Sequence, residues 1–477
     1  MNEARPASFF ERTVARFRRA WREVTEAPRA APAPPMPRPD LPVDDAAHIR
    51  EQMRVCLEAA GGEVSARARA ADLGRTYLAL NETGRERFLR ILADEFDTDP
   101  ATVDRAVERL RQANDPRQRR AAEQGLRSAL EAPRVRLLTQ FNGLAEGVKF
   151  LVDMRAEILR LARANPASNL AALESDLRGL LAAWFDIGFL ELRRITWNAP
   201  AALLEKLAMY EAVHAIQSWQ DLKNRLDSDR RCFAFFHPRM PEEPLIFIEV
   251  ALVRGLADNV QTLLDEAAPA TDLRSADTAI FYSISNAQAG LAGISFGGFL
   301  IKRVVDLLQA EFPGLATFAT LSPIPGFLRW LDERLAAEGG AALITDGEWA
   351  ALRALPASIA DTAVLRAVLK AAGWAEDSAM RDALKGPLTR LCAHYLLEAR
   401  RPRGGALDPV AHFHLSNGAR MERLNWLGDR SEKGLRESAG LMINYLYRLG
   451  EIEANHEAYT AQGQLAAVPA IRALLNS

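Results

Sequence analysis

Four apolar runs constrain the fold more than any other feature of the chain: CFAFFH (232–237), LIFIEVALV (245–253), AIFYSIS (279–285) and ATFATLS (316–322). A strand with one wet face alternates apolar and polar residues. These runs do not alternate, so they predict a sheet covered on both faces. Between the third and fourth lie a glycine-rich loop and an amphipathic helix over 296–310, with Leu300, Ile301, Val304, Val305 and Leu308 on one side. The order strand, loop, helix, strand reads as a βαβ-like unit. Upstream the pattern is helical. Val148, Leu151, Val152, Ile158 and Leu159 recur at helical spacing, and NDP (114–116), EAP (131–133) and ANPAS (164–168) punctuate the stretch. The expected class is therefore α+β. Residues 1–44 are an N-terminal arm and Pro/Ala-rich linker without fixed structure, 45–188 a bundle of six to eight helices, and 189–477 a mixed domain. A helical insertion is expected at about 328–405 of the mixed domain, then a strand over 410–415 and a closing helix over 432–449.

Composition narrows the function classes. The 60 basic and 62 acidic residues nearly cancel, which argues against a nucleic-acid partner. No apolar run is long enough to span a bilayer, so no membrane association is expected. Cys56, Cys232 and Cys392 are too few and too scattered for a disulfide framework or a metal knuckle. The Arg-rich segment 9–24 is amphipathic like a presequence, but Glu11 and Glu23 interrupt it, and a cytoplasmic location is expected.

Three places could carry chemistry. The loop QAGLAGISFGGFLIKRVV (288–305) sets glycines 290, 293, 297 and 298 between a strand and a helix, where unpaired amides suit a pyrophosphate. It is neither a dinucleotide fingerprint nor a Walker loop, and a tight turn that packs helix on sheet explains the glycines equally well. Lys302 and Arg303 could reach a phosphate or be ordinary surface charges. Ser322 closes a strand before Pro323-Ile324-Pro325-Gly326, a stiff corner that suits either a reactive hydroxyl or a serine that ends the strand, with Gly326 free to take an unusual φ. His414 lies in AHFHLSNGAR (411–420). In a strand it shares a face with His412, and the pair could bind metal, although no Cys or carboxylate cluster completes a site.

These segments occur in one order and at compatible spacing, and together the chain resembles the malonyl-CoA decarboxylase family across 140–450. The similar stretches include VKFLVDMRAEIL (148–159), ITWNAP (195–200), FYSIS (281–285), GLAGISFGGFLIKRVV (290–305), LSPIPGF (321–327), FHLSNGA (413–419) and NWLGDRSEKG (425–434). The resemblance implies an N-terminal helical domain with a role in homo-oligomer formation and a catalytic domain like the GCN5-related acetyltransferases. It implies a CoA pyrophosphate on Ala292, Gly293, Ile294, Ser295, Phe296, Gly297 and Gly298, catalytic Ser322 and His414, and Ser283 lining the site. The CoA thioester, malonyl-CoA giving acetyl-CoA, is then substrate rather than cofactor. No cofactor or metal is expected, because the thioester itself accepts the electrons released with CO2. His414, titrating near neutrality, is the expected proton donor, with Ser322 orienting the carboxylate and relaying the proton. An acyl- or acetyltransferase of the same fold, or a non-catalytic malonyl-CoA binder, are the alternatives.

Overall fold

The computed structural model describes Phe17, Trp21 and residues 36–476, apart from 59–62, 167–168, 186, 227–228, 268–271, 295–299, 372 and 403. The chain forms two compact units. One comprises Met1–Phe189 with His237–Pro241 and Gln288–Ser295, and the other takes the remainder.

The first unit is helical. Its described helices are Val43–Leu57, Glu63–Ala79, Glu82–Glu95, Pro100–Gln112, Pro116–Ala129, Pro133–Asn142, Gly147–Ala164 and Leu170–Trp184. Asn81, Asp99 and Asp115 cap their helices with side-chain oxygens, and Pro100, Pro116 and Pro133 stand in the first turn, where no amide is needed. The helix Gly147–Ala164 buries Val148, Phe150, Leu151, Val152 and Ile158. Around Phe150 gather Trp21 at 4.9 Å, Phe141 at 5.2 Å and Tyr77 at 5.6 Å, all edge-on. Each such aromatic pair adds about 0.5–1.5 kcal/mol beyond its area. Most of the 1–44 segment lies outside the described residues. Its Phe17 and Trp21, however, are buried, and the Trp21 indole donates to the Ala145 carbonyl at 2.6 Å.

The second unit is built on a sheet of β1 (Glu191–Ile195), β2 (Arg230–His237), β3 (Met240–Val253), β4 (Thr278–Asn286), β5 (Thr317–Thr320), β6 (Ser322–Pro323), β7 (Arg420–Asn425) and β8 (Met442–Leu446). Their order is β1-β2-β3-β4-β5-β8-β6, with β7 also on β8. Both faces are covered, as the unbroken runs require. Cys232, Ala234 and Phe236 of β2 pack with Leu204, Leu207 and Leu222 of the helices Ala201–Tyr210 and Trp219–Arg225. The intervening Phe235 lies under Arg303 of the helix Leu300–Glu311, at 5.5 Å. That helix joins β4 to β5, which pair in parallel from Thr278↔Thr317 to Phe281↔Thr320. The pairing ends there, while β4 runs on to Asn286 and the following Ser322 and Pro323 pair with Ile443 and Met442 of β8.

Two expectations near the C-terminus are overturned. Residues 410–415 are not a strand but part of the helix Pro409–Ser416, capped by Asp408 with Pro409 in its first turn. The expected helix over 432–449 stops at Ser438. Ala439 (φ 53°) and Gly440 (φ 74°) take left-handed backbone, after which β8 begins. A left-handed residue followed by glycine is a helix stop, and Met-Ile-Asn-Tyr-Leu favours the pleated sheet.

Candidate active site

In the first unit, the described part of the glycine loop is Gln288–Ile294; the expected contributors Ser295, Phe296, Gly297 and Gly298 lie outside the described residues. Gly290 sits so close to the helix Gly147–Ala164 that a Cβ would collide with the Val152 carbonyl. Its glycine thus serves packing rather than a ligand. Gly293, at φ +73°, adopts left-handed backbone with open space where a Cβ would point. The buried Arg155 fixes the loop by donating to the carbonyls of Gly290 (2.6 Å) and Ala292 (2.9 Å), while Glu174 holds the guanidinium from its other side. Arg155 belongs to VKFLVDMRAEIL, a helical stretch in which no chemistry was expected. In the second unit the two cations after the loop are engaged: Lys302 with Glu453, and Arg303 with the Leu190 carbonyl.

The second unit brings Ser322 and His414 together. Both are buried, and Ser322 Oγ lies 3.1 Å from His414 Nε2. Ser322 Oγ donates to Thr320 Oγ1 at 2.8 Å, and that oxygen also accepts the Tyr445 amide at 3.1 Å. The serine proton is therefore committed to Thr320, so Ser322 Oγ accepts from the imidazole. Assigned from this network, the tautomer has Nε2–H facing Ser322 and a bare Nδ1. Nδ1 meets the Tyr447 hydroxyl at 2.8 Å, which must then be the donor. The Tyr445 ring stacks on the imidazole at 4.6 Å.

Burial drives the electrostatics. It pushes the His414 imidazolium down to about 3, which corrects the expectation of a group titrating near neutrality. Burial likewise pushes the Tyr447 phenol up, so both groups are neutral at physiological pH. His414 lies in the last turn of its helix, where the dipole favours a cation. An anion placed beside it would add to that preference and draw a proton onto the ring.

Ser283 takes a different environment. A bulge sets Ser283 opposite Glu249 but Phe281 opposite Val250, so these residues lose the common face that alternation would give them. Phe281 meets the Tyr447 ring, whereas the Ser283 hydroxyl donates to both oxygens of Glu211, at 2.9 and 2.8 Å. The Glu211 carboxylate also accepts the Val213 and His214 amides and the Ser285 hydroxyl. His412, expected to share a face with His414, instead bonds Tyr459 Oη at 2.6 Å. Two residues apart on a helix are about 200° apart around it, not on one side. Among the described residues no group of three or more His, Cys, Asp or Glu side chains is placed to hold a metal.

A mainly helical unit and a mixed-sheet unit with a buried hydroxyl–imidazole–phenol chain define an α+β protein. The profile of the malonyl-CoA decarboxylase C-terminal domain matches residues 188–477, and that of the N-terminal domain matches 96–185. The mouse mitochondrial malonyl-CoA decarboxylase is 40% identical over 424 residues, 86% of either chain, and the goose protein 38% identical over 409 residues, 83% of this chain and 80% of its own. Among solved structures, the malonyl-CoA decarboxylase of Rhodopseudomonas palustris superposes with a TM-score of 0.82 at 43% identity, covering 90% of this chain and 99% of its own. That of Agrobacterium vitis gives 0.78 at 42%, covering 90% and 100%. The chain belongs to the malonyl-CoA decarboxylase family.

Proposed function

We propose that the chain converts malonyl-CoA to acetyl-CoA and CO2, with Ser322 and His414 as the reacting pair. The observation that carries this reading is the 3.1 Å contact between the two in a buried chain of hydrogen bonds. As the bond to the carboxylate breaks, its electron pair enters the thioester as an enolate and CO2 leaves. The α-carbon then takes a proton. His414 is neutral at rest. The malonyl carboxylate brings a negative charge into this buried setting and raises the imidazole's affinity for a proton, so the ring takes up a proton more readily with substrate bound than at rest. Once CO2 has gone and the enolate is protonated, the anion is lost and the ring returns to its neutral state. Ser322 holds the carboxylate and passes the proton. No metal is needed, because the thioester is already an electron sink.

Ala292 to Gly298 hold the CoA pyrophosphate in this reading, supported by the Arg155 clamp on the described part of the loop. The end of β4–β5 pairing at Phe281 and Thr320, with β4 continuing to Asn286, supports an acetyltransferase-like catalytic domain, since the remaining backbone groups of β4 could pair with the amides of a pantetheine chain. Ser283 contributes through Glu211 rather than by touching Ser322. Self-association through the helical unit is supported by the helix Pro116–Ala129, which buries none of its residues, and by Leu130, 57% exposed beyond it. No helix among the described residues is long and apolar enough to cross a membrane. A cytoplasmic location is proposed on the three free cysteines, which fit a reducing compartment, although the mouse relative is a mitochondrial protein.

The test supplies malonyl-CoA to the purified protein and follows acetyl-CoA and CO2, with a parallel incubation of acetyl-CoA and amines. Stoichiometric acetyl-CoA and CO2, indifferent to chelators and without acyl transfer, is the expected result. Acyl transfer without CO2 release would replace this reading with that of an acyltransferase.

A further inference from the structure

We propose that Asp408 is the positioning residue that keeps the Ser322 loop and the His414 helix in register, an inference that rests on the reading of Ser322 and His414 as the reacting pair. A helix cap needs only one carboxylate oxygen. Asp408 Oδ1 supplies it, accepting the Val410 and Ala411 amides at 2.9 Å each. The other oxygen serves different segments. Tyr395 Oη donates to Oδ2 at 3.2 Å, and the Gly326 backbone packs against that same hydroxyl and carboxylate oxygen. Gly326 closes the Ser322-Pro323-Ile324-Pro325-Gly326 corner, and Tyr395 comes from the helix Ser378–Glu398 of the insertion.

Both segments meeting at this carboxylate are stiff. Pro323 and Pro325 fix the backbone between Ser322 and Gly326, and two helical turns separate Asp408 from His414. Holding Gly326 and the helix start on one anchor therefore holds Ser322 Oγ against His414 Nε2. Gly326 was expected to supply an unusual φ, but its φ is an ordinary −94°. Glycine is needed because a Cβ would collide with the Tyr395 hydroxyl. Asp408 itself is 1% exposed and touches neither Ser322 nor His414 in the described hydrogen bonds, so its influence passes through the backbone.

Asp408→Asn separates the two roles. Asparagine caps a helix as well as aspartate does, but its amide nitrogen cannot accept from Tyr395. Tyr395→Phe removes one donor, leaves the cap intact and carries the test should Asp408→Asn fail to fold. Steady-state kcat and KM for malonyl-CoA and the melting temperature are measured for both variants beside wild type, Ser322→Ala and His414→Ala. The expected result is a kcat lower by about 10–100-fold in Asp408→Asn, the scale of an ångström-level misplacement. Tyr395→Phe should lose about 3–10-fold, the loss of one hydrogen bond. KM should stay within about twofold and the melting temperature within a few degrees. A kcat near wild type in Asp408→Asn, beside an inactive His414→Ala, overturns the positioning role while leaving the site intact. So does a loss of activity that only tracks the unfolded fraction. Full turnover by Ser322→Ala and His414→Ala would instead remove the site reading itself, and the positioning role with it.

Discussion

Replacing Tyr447 by phenylalanine isolates one link of the buried chain. The ring and its packing against Phe281 remain, and only the hydroxyl that donates to His414 Nδ1 at 2.8 Å is lost. Since His414 is buried and no other described hydrogen bond reaches Nδ1, that nitrogen is left unpaired, as an acceptor on the neutral ring and as a donor on the protonated one. Leaving a buried polar atom unpaired costs about 1–3 kcal/mol, or roughly 5–150-fold where the interaction matters in the transition state. The loss should fall on kcat, because the phenol orients the proton-bearing ring and does not hold the CoA chain. Burial keeps the phenol neutral, so the loss should also be the same at pH 6 and pH 8. Kinetics on purified wild-type and Tyr447→Phe enzyme, with acetyl-CoA quantified by chromatography, decide the matter. A kcat within about twofold of wild type, or an effect confined to KM, would refute the assigned tautomer and the role of Tyr447.

Other expectations follow from the same geometry. Arg155→Ala should raise KM for malonyl-CoA more than it lowers kcat, since it frees the Gly290 and Ala292 carbonyls without touching the reacting pair; initial-rate kinetics would show it. Gly290→Ala should lower the melting temperature by several degrees, because its Cβ has no room beside Val152; calorimetry measures the shift. The folded pKa of His414, about 3, lies below the ordinary value of about 6.5, so the unfolded chain binds a proton there that the native state does not. Its contribution to stability is complete above pH ~6.5 and falls as the pH drops toward ~3, by at most about 1.4 kcal/mol per pH unit. Urea unfolding of His414→Gln against wild type between pH 6.5 and 4.5 should show the variant losing less stability on acidification.

The broad architecture was legible in the sequence because both-face burial and helical periodicity are written directly into residue order. CFAFFH and LIFIEVALV became β2 and β3, and the helical stretch from Val43 to Trp184 folds as helices. What surrounds the reacting pair was less legible. Valine, phenylalanine and histidine in VAHFHL suggested a strand, yet Asp408-Pro409 is a helix-start signal that outweighs them. The missed strand β8 carries Tyr445 and leads into Tyr447, so both tyrosine neighbours of His414 were hidden inside an expected helix. Arg155, and the second role of Asp408 toward Tyr395, could not be singled out. Both depend on contacts that residue order does not announce: Arg155 reaches a loop 135 residues away. Ser283 shows the opposite limit. Its motif is plain, but a single bulge turns its hydroxyl to Glu211, and no local pattern announces a bulge.

Ser322 and His414 act as one unit, and the most direct test is malonyl-CoA turnover by Ser322→Ala, His414→Ala and the double variant. Each single variant should lose about 10²–10⁴-fold in kcat, and the double variant should be little worse than the poorer single one. Near-wild-type kcat/KM in either single variant, with acetyl-CoA and CO2 still formed in equal amounts, would contradict it.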